Sequence, residues 1–506
     1  MSQAVLPKPA KTANRGFEAD SFSRSVVLLG FLIVAQRGIG FLRSFYVCGA
    51  LSPAEVGQWD LSFSFLTMVA PLAVLGIPGS FGRYLARHES SGQSGRFLRQ
   101  TLIVCLGLVA ITVSVLYWAR HTVAFYFFGS SEFSTWVGIL ATGLPIVVFF
   151  NFATSWFTGK RLNRIVFRTQ FTQTVTFAVG CVVALGLYAV SATAVVIAYL
   201  ISCMAGLLVA VIYFLGSGEP TSETEPPKPL PIWSKILPFA AWVWASNAIL
   251  NLFSLCDRML LVNFHPDPAI DVRYLIGQYH TACLFPLLLL SFGAMAGSML
   301  MPYLSQDWEA ENQANVHDRL NLMLKAIGGL CLVGSIGVMA IAPLLFGGIW
   351  QDKFSMGESL LPMTLCYCSL AAVYLVAQKY FWCIEKAWFS SLLLGTGLVA
   401  NFLLGVAFIR AYGIEGVVAS TLVAHVFVLA SVLLLCYRNG LRFDVGVWLI
   451  AFSLISICMG MIPTFACTLI LILAVCFTES IVTRETRKLG IDRVTRVLHR
   501  LRGVAQ

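Results

Sequence analysis

The chain has 506 residues, of which 58% are hydrophobic and only 11% are charged, and its formal net charge is +10. Soluble domains carry roughly 25% charged residues, and a water-soluble fold could not cover this much apolar surface. The composition therefore excludes an ordinary soluble protein and predicts one that spans a membrane. Because the basic residues follow the membrane topology described below, their excess indicates no nucleic-acid partner.

Apolar runs of about twenty residues, the length of a helix that crosses about 30 Å of hydrocarbon, dominate the chain. We count fourteen runs, at residues 25–46, 58–80, 101–118, 134–158, 170–189, 193–215, 236–262, 276–302, 322–346, 357–380, 389–409, 413–436, 446–460 and 463–478. The last two are short and would also fit a re-entrant pair. The prediction is an all-α polytopic membrane protein with about fourteen transmembrane helices.

The Lys and Arg residues lie mostly on one side of this predicted membrane. When connections are counted alternately from the N-terminus, 27 of the 34 basic residues fall in the first set and four in the other. Because cytoplasmic loops carry the excess of Lys and Arg, both termini are predicted to be cytoplasmic. The polar N-terminal tail is followed by no small-residue cleavage site, so the first helix should remain as an anchor.

A repeat of about 220 residues divides the chain into two copies. Val56-Gly57-Gln58-Trp59 returns as Ile276-Gly277-Gln278-Tyr279, in each case after an arginine-bearing apolar stretch. Each copy has six predicted helices, and an even number inserts both copies the same way up, related by a pseudo-two-fold axis along the membrane normal. We expect an N-terminal lobe at 1–215, a Pro-rich cytoplasmic linker at 216–235, a C-terminal lobe at 236–436, and two extra helices with a basic cytoplasmic tail at 437–506.

Arginine inside apolar helices is the main indication of function. Arg37 and Arg43 lie in the first predicted helix, Arg258 lies in the seventh, and Arg83 lies at the predicted cytoplasmic mouth of the second. Intramembrane charges are costly and mark substrate or ion pathways, and a guanidinium can donate two parallel hydrogen bonds to a phosphate. We predict that these arginines bind an anionic substrate. For Arg83, an ordinary positive charge at a cytoplasmic loop is the alternative.

The seventh predicted helix also carries a polar stripe. Asn247, Asn251, Ser254 and Arg258 stand at i, i+4, i+7 and i+11, which places them on one helical face. Such a stripe in hydrocarbon must face protein or water. We predict that it lines a substrate cavity, with a hydrogen-bonded helix interface as the alternative. Asp257 is predicted either to neutralise Arg258 or to couple an ion, since intramembrane charges commonly pair.

Asp60, near the outer end of the second predicted helix, is a further candidate. It would pair with an arginine of the first helix or couple an ion, and a solvated acid favoured by the helix dipole is the alternative. The chain shows no nucleophile–base pair, no P-loop and no metal-ligand cluster, and nearly all its cysteines lie inside apolar runs. We therefore expect a transporter rather than an enzyme, with no cofactor.

Several short motifs resemble the polysaccharide-biosynthesis (oligosaccharidyl-lipid) flippase family of the multidrug/oligosaccharidyl-lipid/polysaccharide exporter superfamily. They are Arg37-Gly38-Ile39-Gly40-Phe41-Leu42-Arg43, Leu51-Ser52-Pro53-Ala54-Glu55-Val56-Gly57, Gly76-Ile77-Pro78-Gly79 with Arg83-Tyr84-Leu85, and Asp257-Arg258 with Ile276-Gly277-Gln278-Tyr279. The resemblance covers essentially the whole chain. The first motif also resembles the lipid II flippases, which usually carry an acidic residue where this chain has Ser44.

This resemblance implies a V-shaped carrier of two six-helix lobes in the bacterial inner membrane, with a cationic central cavity. The carrier would move an undecaprenyl-diphosphate-linked oligosaccharide to the outer leaflet by alternating access, for cell-surface or extracellular polysaccharide such as lipopolysaccharide or exopolysaccharide. Arg37, Arg43 and Arg258 match cavity positions of the family, and Arg83 matches an inner-gate position. The expected partners are the lipid-linked substrate and membrane lipids, with a polysaccharide polymerase as a candidate.

Three other functions remain open at this stage. A lipid II flippase, which carries a peptidoglycan precursor, is the nearest alternative. A drug or cation antiporter of the same superfamily would be expected to present acidic residues to its substrate. A membrane glycosyl polymerase would normally need a sizeable outer loop with catalytic Arg or His residues.

Overall fold

The fold is helical throughout the residues that the computed structural model describes, which are 22–81, 85, 94–216, 232–267 and 269–477. Eight helical stretches among them are long and apolar enough to cross a membrane. Each of the fourteen predicted apolar runs lies mainly on a helix of the structure, and the second run, 58–80, is broken by a turn at residues 74–76. Most of the predicted linker, the basic tail beyond residue 477, and Arg83 lie outside the described residues.

The N-terminal half is built from seven helices in its described residues. They are α1 (Phe22–Ala50), α2 (Pro53–Ala73), α3 (Ser94–Trp118), α4 (Arg120–Phe128), α5 (Ser134–Gly159), α6 (Asn163–Leu187) and α7 (Ala192–Gly216). The start of α2 is fixed by the Ser52 hydroxyl, which accepts a hydrogen bond from the Glu55 backbone N–H at 3.4 Å. Pro53 occupies the first turn, where its missing N–H costs nothing. The Glu55 carboxylate accepts the backbone N–H of Ala192, which joins the start of α2 to the start of α7.

The C-terminal half contains the longest helices of the chain. They are α8 (Ile232–Phe264), α9 (Val272–Glu309), α10 (Gln313–Pro343), α11 (Ser355–Ala377), α12 (Lys379–Cys383), α13 (Trp388–Arg438), α14 (Val445–Ile455) and α15 (Met461–Phe477). Gly413 interrupts α13 at φ 56° and ψ −132°, a conformation that glycine adopts without steric cost. The interruption separates residues 388–412 from residues 414–438, as the two predicted runs require.

The two short C-terminal runs form two separate helices. A 3-10 turn at Ser456–Met459 and Gly460, whose φ is 98°, join α14 to α15. Both pack on the C-terminal half, α14 against α10 and α11, and α15 against α10 and α14. They follow the second copy of the repeat along the chain.

Two bundles meet along one main helix pair. In the N-terminal half, α6 packs mainly on α7, and α5 contacts α2, α3 and α7. In the C-terminal half, α11 is enclosed by α9, α10 and α13. The largest contact between the halves is that of α2 with α9. A ring contact of 5.0 Å between Phe41 of α1 and Phe285 of α9 adds to it. The candidate site lies at this junction.

Candidate functional site

The repeated Gly-Gln motif forms a close contact between α2 and α9. We call the region made by residues 53–60 of α2 and 273–280 of α9 the outer contact, because the basic residues place it on the predicted outer side. A Cβ atom at Gly57 would lie 1.8 Å from the carbonyl oxygen of Arg273, and one at Gly277 would lie 1.9 Å from that of Pro53. Glycine is required at both positions, because any larger residue would overlap backbone.

These two glycine contacts are equivalent under the repeat. Gly57 and Gly277 are 220 positions apart, and so are Pro53 and Arg273. A contact in which each copy presents the same patch to the other is the mark of two-fold symmetry. The predicted pseudo-two-fold axis therefore passes through the outer contact.

Asp60 lies one turn further along α2 and forms an ion pair with the C-terminal half. Its Oδ2 accepts a hydrogen bond from Arg258 Nε at 2.7 Å, and its Oδ1 accepts one from Arg258 Nη2 at 3.3 Å. His280 Nδ1 lies 2.7 Å from the same Oδ1, which requires the proton on Nδ1 because a carboxylate only accepts. Asp60 is 4% exposed, so the pair is protected from water. His280 was not among the site residues predicted from the sequence, although it is the repeat equivalent of Asp60 at an offset of 220.

This geometry changes the predicted partners of two residues. Asp60 was expected to pair with an arginine of the first helix or to be solvated, but it is buried and pairs with Arg258 of α8. The alternative in which Asp257 neutralises Arg258 is wrong for this structure. Adjacent residues of a helix point about 100° apart, and here Arg258 faces the N-terminal half while Asp257 faces the C-terminal half.

Asp257 is held by neutral hydrogen-bond donors of the C-terminal half. The hydroxyls of Tyr279 and Thr421 each donate to the carboxylate at 2.5 Å, and Asn401 Nδ2 donates at 3.1 Å. Asp257 is 3% exposed. Among the described residues Asp257 has no cationic partner, and a buried carboxylate held only by neutral donors retains an unbalanced charge. A cation or a proton could balance that charge.

The Asp257 hydrogen bonds continue through a buried network. The hydroxyl of Tyr279 lies 2.9 Å from that of Tyr367, and the ring of Tyr367 lies 5.3 Å from the ring of His425. His425 Nδ1 lies 2.8 Å from the Thr421 carbonyl oxygen. Spacing along one helix could not reveal this network, because its members come from α8, α9, α11 and α13.

The described members of the polar stripe of α8 differ in their exposure. Ser254 is exposed and Asn251 is half-buried. The Ser254 hydroxyl donates to the Asn251 carbonyl oxygen at 2.8 Å, and the Ser254 carbonyl accepts from Arg258 Nη1 at 2.9 Å. Ser254 is therefore not packed in a helix interface among the described residues, and the cavity lining remains a prediction. The side chain of Asn247 lies outside the described residues.

Arg43 of α1 lies against an aromatic cluster of the N-terminal half. Its guanidinium carbon is 4.0 Å from the ring centroid of Phe177, and its Nη2 donates to the Ser44 hydroxyl at 3.2 Å. Phe177 in turn lies 5.7 Å from the ring of Trp59, the residue before Asp60. Within the described residues, no carboxylate forms an ion pair with Arg43.

Arg37 and the two following glycines lie beside unfilled space. Arg37 is exposed, and a Cβ atom at Gly38 or Gly40 would meet no atom within 4 Å. The structure therefore brings Arg258 and Asp60 into contact, holds Asp257 apart in the C-terminal half, and leaves Arg37 and Arg43 without an acidic partner among the described residues.

A second polar contact closes the outer side. Lys353, between α10 and α11, donates from Nζ to the carbonyl oxygen of Gly49 at 2.8 Å, near the end of α1 where helical carbonyls lack partners. Gln278 of the repeated motif positions this loop, because its Nε2 donates to the Lys353 carbonyl at 2.8 Å. Sequence analysis assigned Lys353 no role, because it lies in a short connection outside the apolar runs.

Comparison with known proteins agrees with this architecture. A family model described as "Polysaccharide biosynthesis protein" matches residues 22–308, which is more than half of the chain. The chain belongs to this family. A search of curated proteins found no match.

Solved structures show the same fold. The chain is similar to "Lipid II flippase MurJ, inward closed conformation", with 14% identity, a TM-score of 0.67, and coverage of 88% of this chain and 96% of that one. It is also similar to an inward-facing multidrug resistance MATE family transporter of the MOP superfamily, with 14% identity, a TM-score of 0.64, and coverage of 82% and 98%. A third is a MOP superfamily transporter from Pyrococcus furiosus whose structure is titled for the reverse polarity of its binding pocket, with 15% identity, a TM-score of 0.59, and coverage of 82% and 95%.

These results establish a polytopic helical membrane protein with the two-lobe fold of flippases and transporters of the MOP superfamily. Polysaccharide biosynthesis follows from the family. At identities of 14–15% the solved structures indicate the fold and leave the substrate to be argued from the site.

Proposed function

We propose that the protein is a flippase for an undecaprenyl-diphosphate-linked oligosaccharide in a bacterial inner membrane. It would move the substrate from the inner to the outer leaflet by alternating access, for cell-surface or extracellular polysaccharide. Family membership supports the pathway, and the two-lobe fold supports alternating access. Membrane lipids are its surroundings, and a polysaccharide polymerase is a proposed partner that would consume the product.

The observation that carries the proposal is the environment of Arg43. Its guanidinium rests on Phe177, and no carboxylate of the described residues pairs with it. A ring face attracts a cation by about 0.5–2 kcal/mol but cannot balance its charge. A diphosphate can, and the planar fork of arginine matches two phosphate oxygens. We propose that Arg37, Arg43 and Arg258 bind the diphosphate, with Arg83 at the inner mouth.

The polar residues of α8 suit the sugar end of this substrate. Asn251 and Ser254 lie on the same face of α8 as Arg258 and are linked to it by hydrogen bonds, and hydroxyl and amide groups pair with sugar hydroxyls. We propose that they bind the first sugars together with Asn247. Asp257, held by three neutral donors, is proposed to take up the coupling cation or proton.

The alternatives are less well supported by these residues. A drug or cation antiporter would need an unpaired acid facing its substrate, whereas Asp60 is paired with Arg258 and Asp257 is buried. A glycosyl polymerase would need a large outer loop, but the described outer connections near residues 119–133 and 263–271 are short. A lipid II flippase shares the diphosphate, so transport of each substrate must be compared directly.

The decisive test uses the purified protein in proteoliposomes. Undecaprenyl-diphosphate-linked oligosaccharide, lipid II and an organic cation are supplied separately, and a membrane-impermeant reagent scores the glycan or label that has crossed. Transport is expected for the lipid-linked oligosaccharide. Arg43→Gln should lower it by roughly tenfold or more, because a hydrogen bond to a charged group contributes about 1.5–3 kcal/mol. Arg43→Lys should recover part, since it keeps the charge and loses the fork.

The matched control is Arg410→Gln, which removes an exposed arginine near the break in α13. It should transport as the unchanged protein does. Normal transport by Arg43→Gln, or transport of the organic cation alone, would reject the proposed function. Preferential transport of lipid II would replace the substrate and keep the anion site.

A further inference from the structure

In this structure Asp60 accepts hydrogen bonds from the guanidinium of Arg258, which the proposed substrate also needs. Two nitrogens of Arg258, Nε and Nη2, donate to Asp60, and Nη1 donates to the Ser254 carbonyl. Every nitrogen of the guanidinium thus has an acceptor while the outer contact is formed. An anion can use the paired Nε and Nη2 donors only after Asp60 has left them.

We propose that the anionic group of the substrate opens the outer side by displacing Asp60 from Arg258. Asp60 then competes with the substrate for Arg258, and the lobes separate when the substrate displaces Asp60. This inference rests on the proposed function, because it requires the diphosphate to bind Arg258. It adds how binding is transmitted to the outer contact.

Asp60 and a phosphate group can bind the Arg258 guanidinium in the same way. Asp60 presents two oxygens to the fork of Arg258, at 2.7 and 3.3 Å. A phosphate group presents the same pair of oxygens, and arginine binds either anion through parallel hydrogen bonds. The guanidinium is also reachable, because the Arg258 side chain is 13% exposed and the neighbouring Ser254 is exposed. Asp60, by contrast, is enclosed.

The position of the pair explains why displacement would matter. Asp60 belongs to the N-terminal half, and both of its partners, Arg258 and His280, belong to the C-terminal half. The pair stands one turn from the Gly57–Gly277 contact, on the pseudo-two-fold axis. Loss of Arg258 leaves His280 as the remaining partner of Asp60 at this point. The contact between the halves is weakened at the centre of the outer side.

Thermodynamic linkage gives this inference a signature that a purely structural role lacks. If Asp60 competes with the substrate, its removal must tighten substrate binding, and the substrate must favour outer opening by the same factor. A residue that only stabilises the site would do the opposite, because its removal would loosen the site and weaken binding. Asp60→Asn separates the two cases, since it keeps the size and removes the charge.

The test measures binding and lobe separation in the purified full-length protein in nanodiscs. The probe is undecaprenyl diphosphate, with undecaprenol as the same tail without phosphate and inorganic pyrophosphate as the anion without a tail. Spin labels are placed at Ser131 and Ala269, two exposed residues on outer loops of opposite halves, after replacement of native cysteines. The helix ends beside these loops are joined in this structure by Asn263 of α8, whose Nδ2 donates to the Tyr126 carbonyl of α4 at 3.0 Å.

We expect Asp60→Asn to bind undecaprenyl diphosphate about tenfold more tightly, which corresponds to about 1.4 kcal/mol and lies within the usual range of coupling energies. Its label distance should be long without any probe. The unchanged protein should show the long distance only with undecaprenyl diphosphate or with pyrophosphate at higher concentration. Asp352→Asn, an exposed outer acid, is the control and should behave as the unchanged protein.

Equal or weaker binding by Asp60→Asn overturns the inference and leaves the proposed function in place. So does opening by undecaprenol, because the tail would then act instead of the anion. If the unchanged protein does not bind undecaprenyl diphosphate at all, the proposed function fails and this inference fails with it. If Asp60→Asn does not fold, the unchanged protein alone still tests whether the anionic group opens the outer side. Its label distance must respond to undecaprenyl diphosphate and not to undecaprenol.

Discussion

At the scale of single residues, two neighbours in sequence bind different partners. Asp257 and Arg258 are adjacent, yet Asp257 is bound by Tyr279, Thr421 and Asn401 while Arg258 is bound by Asp60. Tyr279 touches both, since its hydroxyl donates to Asp257 and its ring lies 5.3 Å from the Arg258 guanidinium. Tyr279 therefore lies between Asp257 and the ion pair that joins the two halves.

This arrangement predicts that Asp257→Asn removes the response to an ion gradient and keeps substrate binding. The amide cannot gain or lose a charge, whereas a buried carboxylate changes its interactions strongly when a proton or cation balances it. Flipping in proteoliposomes should no longer depend on an imposed proton or monovalent-cation gradient. Affinity for undecaprenyl diphosphate should stay within about twofold, because Arg258 is not the partner of Asp257; a twofold change corresponds to about 0.4 kcal/mol.

Asp352→Asn serves as the control for this change also and should retain the gradient response. A response of normal size in Asp257→Asn would exclude Asp257 as the coupling residue.

At the scale of helices, the outer contact depends on two glycines, which have no side chain to separate α2 from α9. The backbone of α2 touches that of α9 at Gly57 and Gly277, and each contact repeats the other across the pseudo-two-fold axis. Such close approach is how small residues stabilise helix pairs in membranes, where dispersion contacts and hydrogen bonds replace the hydrophobic effect. The strength of the contact therefore depends on glycine at these positions.

Gly57→Ala is expected to prevent the closed outer contact. The added Cβ would lie 1.8 Å from the Arg273 carbonyl oxygen, and overpacking of this kind costs about 1–3 kcal/mol. The melting temperature should fall, and the Ser131–Ala269 label distance should lengthen. By symmetry Gly277→Ala should act in the same way.

Gly329→Ala is the matched control, because a Cβ there meets nothing within 4 Å and alanine favours a helix. The prediction is contradicted if Gly57→Ala and Gly329→Ala melt at the same temperature and show the same label distance.

Sequence alone predicted the helices better than it predicted the partners within the site. Apolar length identifies the helices, and the repeat identifies Gly57 and Gly277, because apolar runs and repeated motifs can be read along the chain. The partners are not local. Asp60 meets Arg258 across 198 positions, and Asp257 meets Thr421 across 164. Helical spacing shows which residues share a face, but it does not show what the face meets.

At the scale of the whole molecule, the helices and the charges together predict the orientation in the membrane. Between Lys160 and Lys228 lie two spans, α6 and α7, and between Lys228 and Arg438 lie six, counting the two parts of α13. Even numbers place all three residues on the same side. The excess of Lys and Arg in these connections predicts that this side is the cytoplasm.

Reporter fusions after Lys160, Lys228 and Arg438 should therefore all report the cytoplasm, and a fusion after Ala269 should report the outer side. The number of spans places the three residues on one side of the membrane, and the distribution of Lys and Arg identifies that side as the cytoplasm. The two predictions can therefore fail separately. If the first three fusions disagree with one another, the count of spans is wrong. If they agree but report the outer side, the fold survives and the molecule is inverted. The outer contact would then face the cytoplasm, and the proposed direction of flipping would have to be reversed.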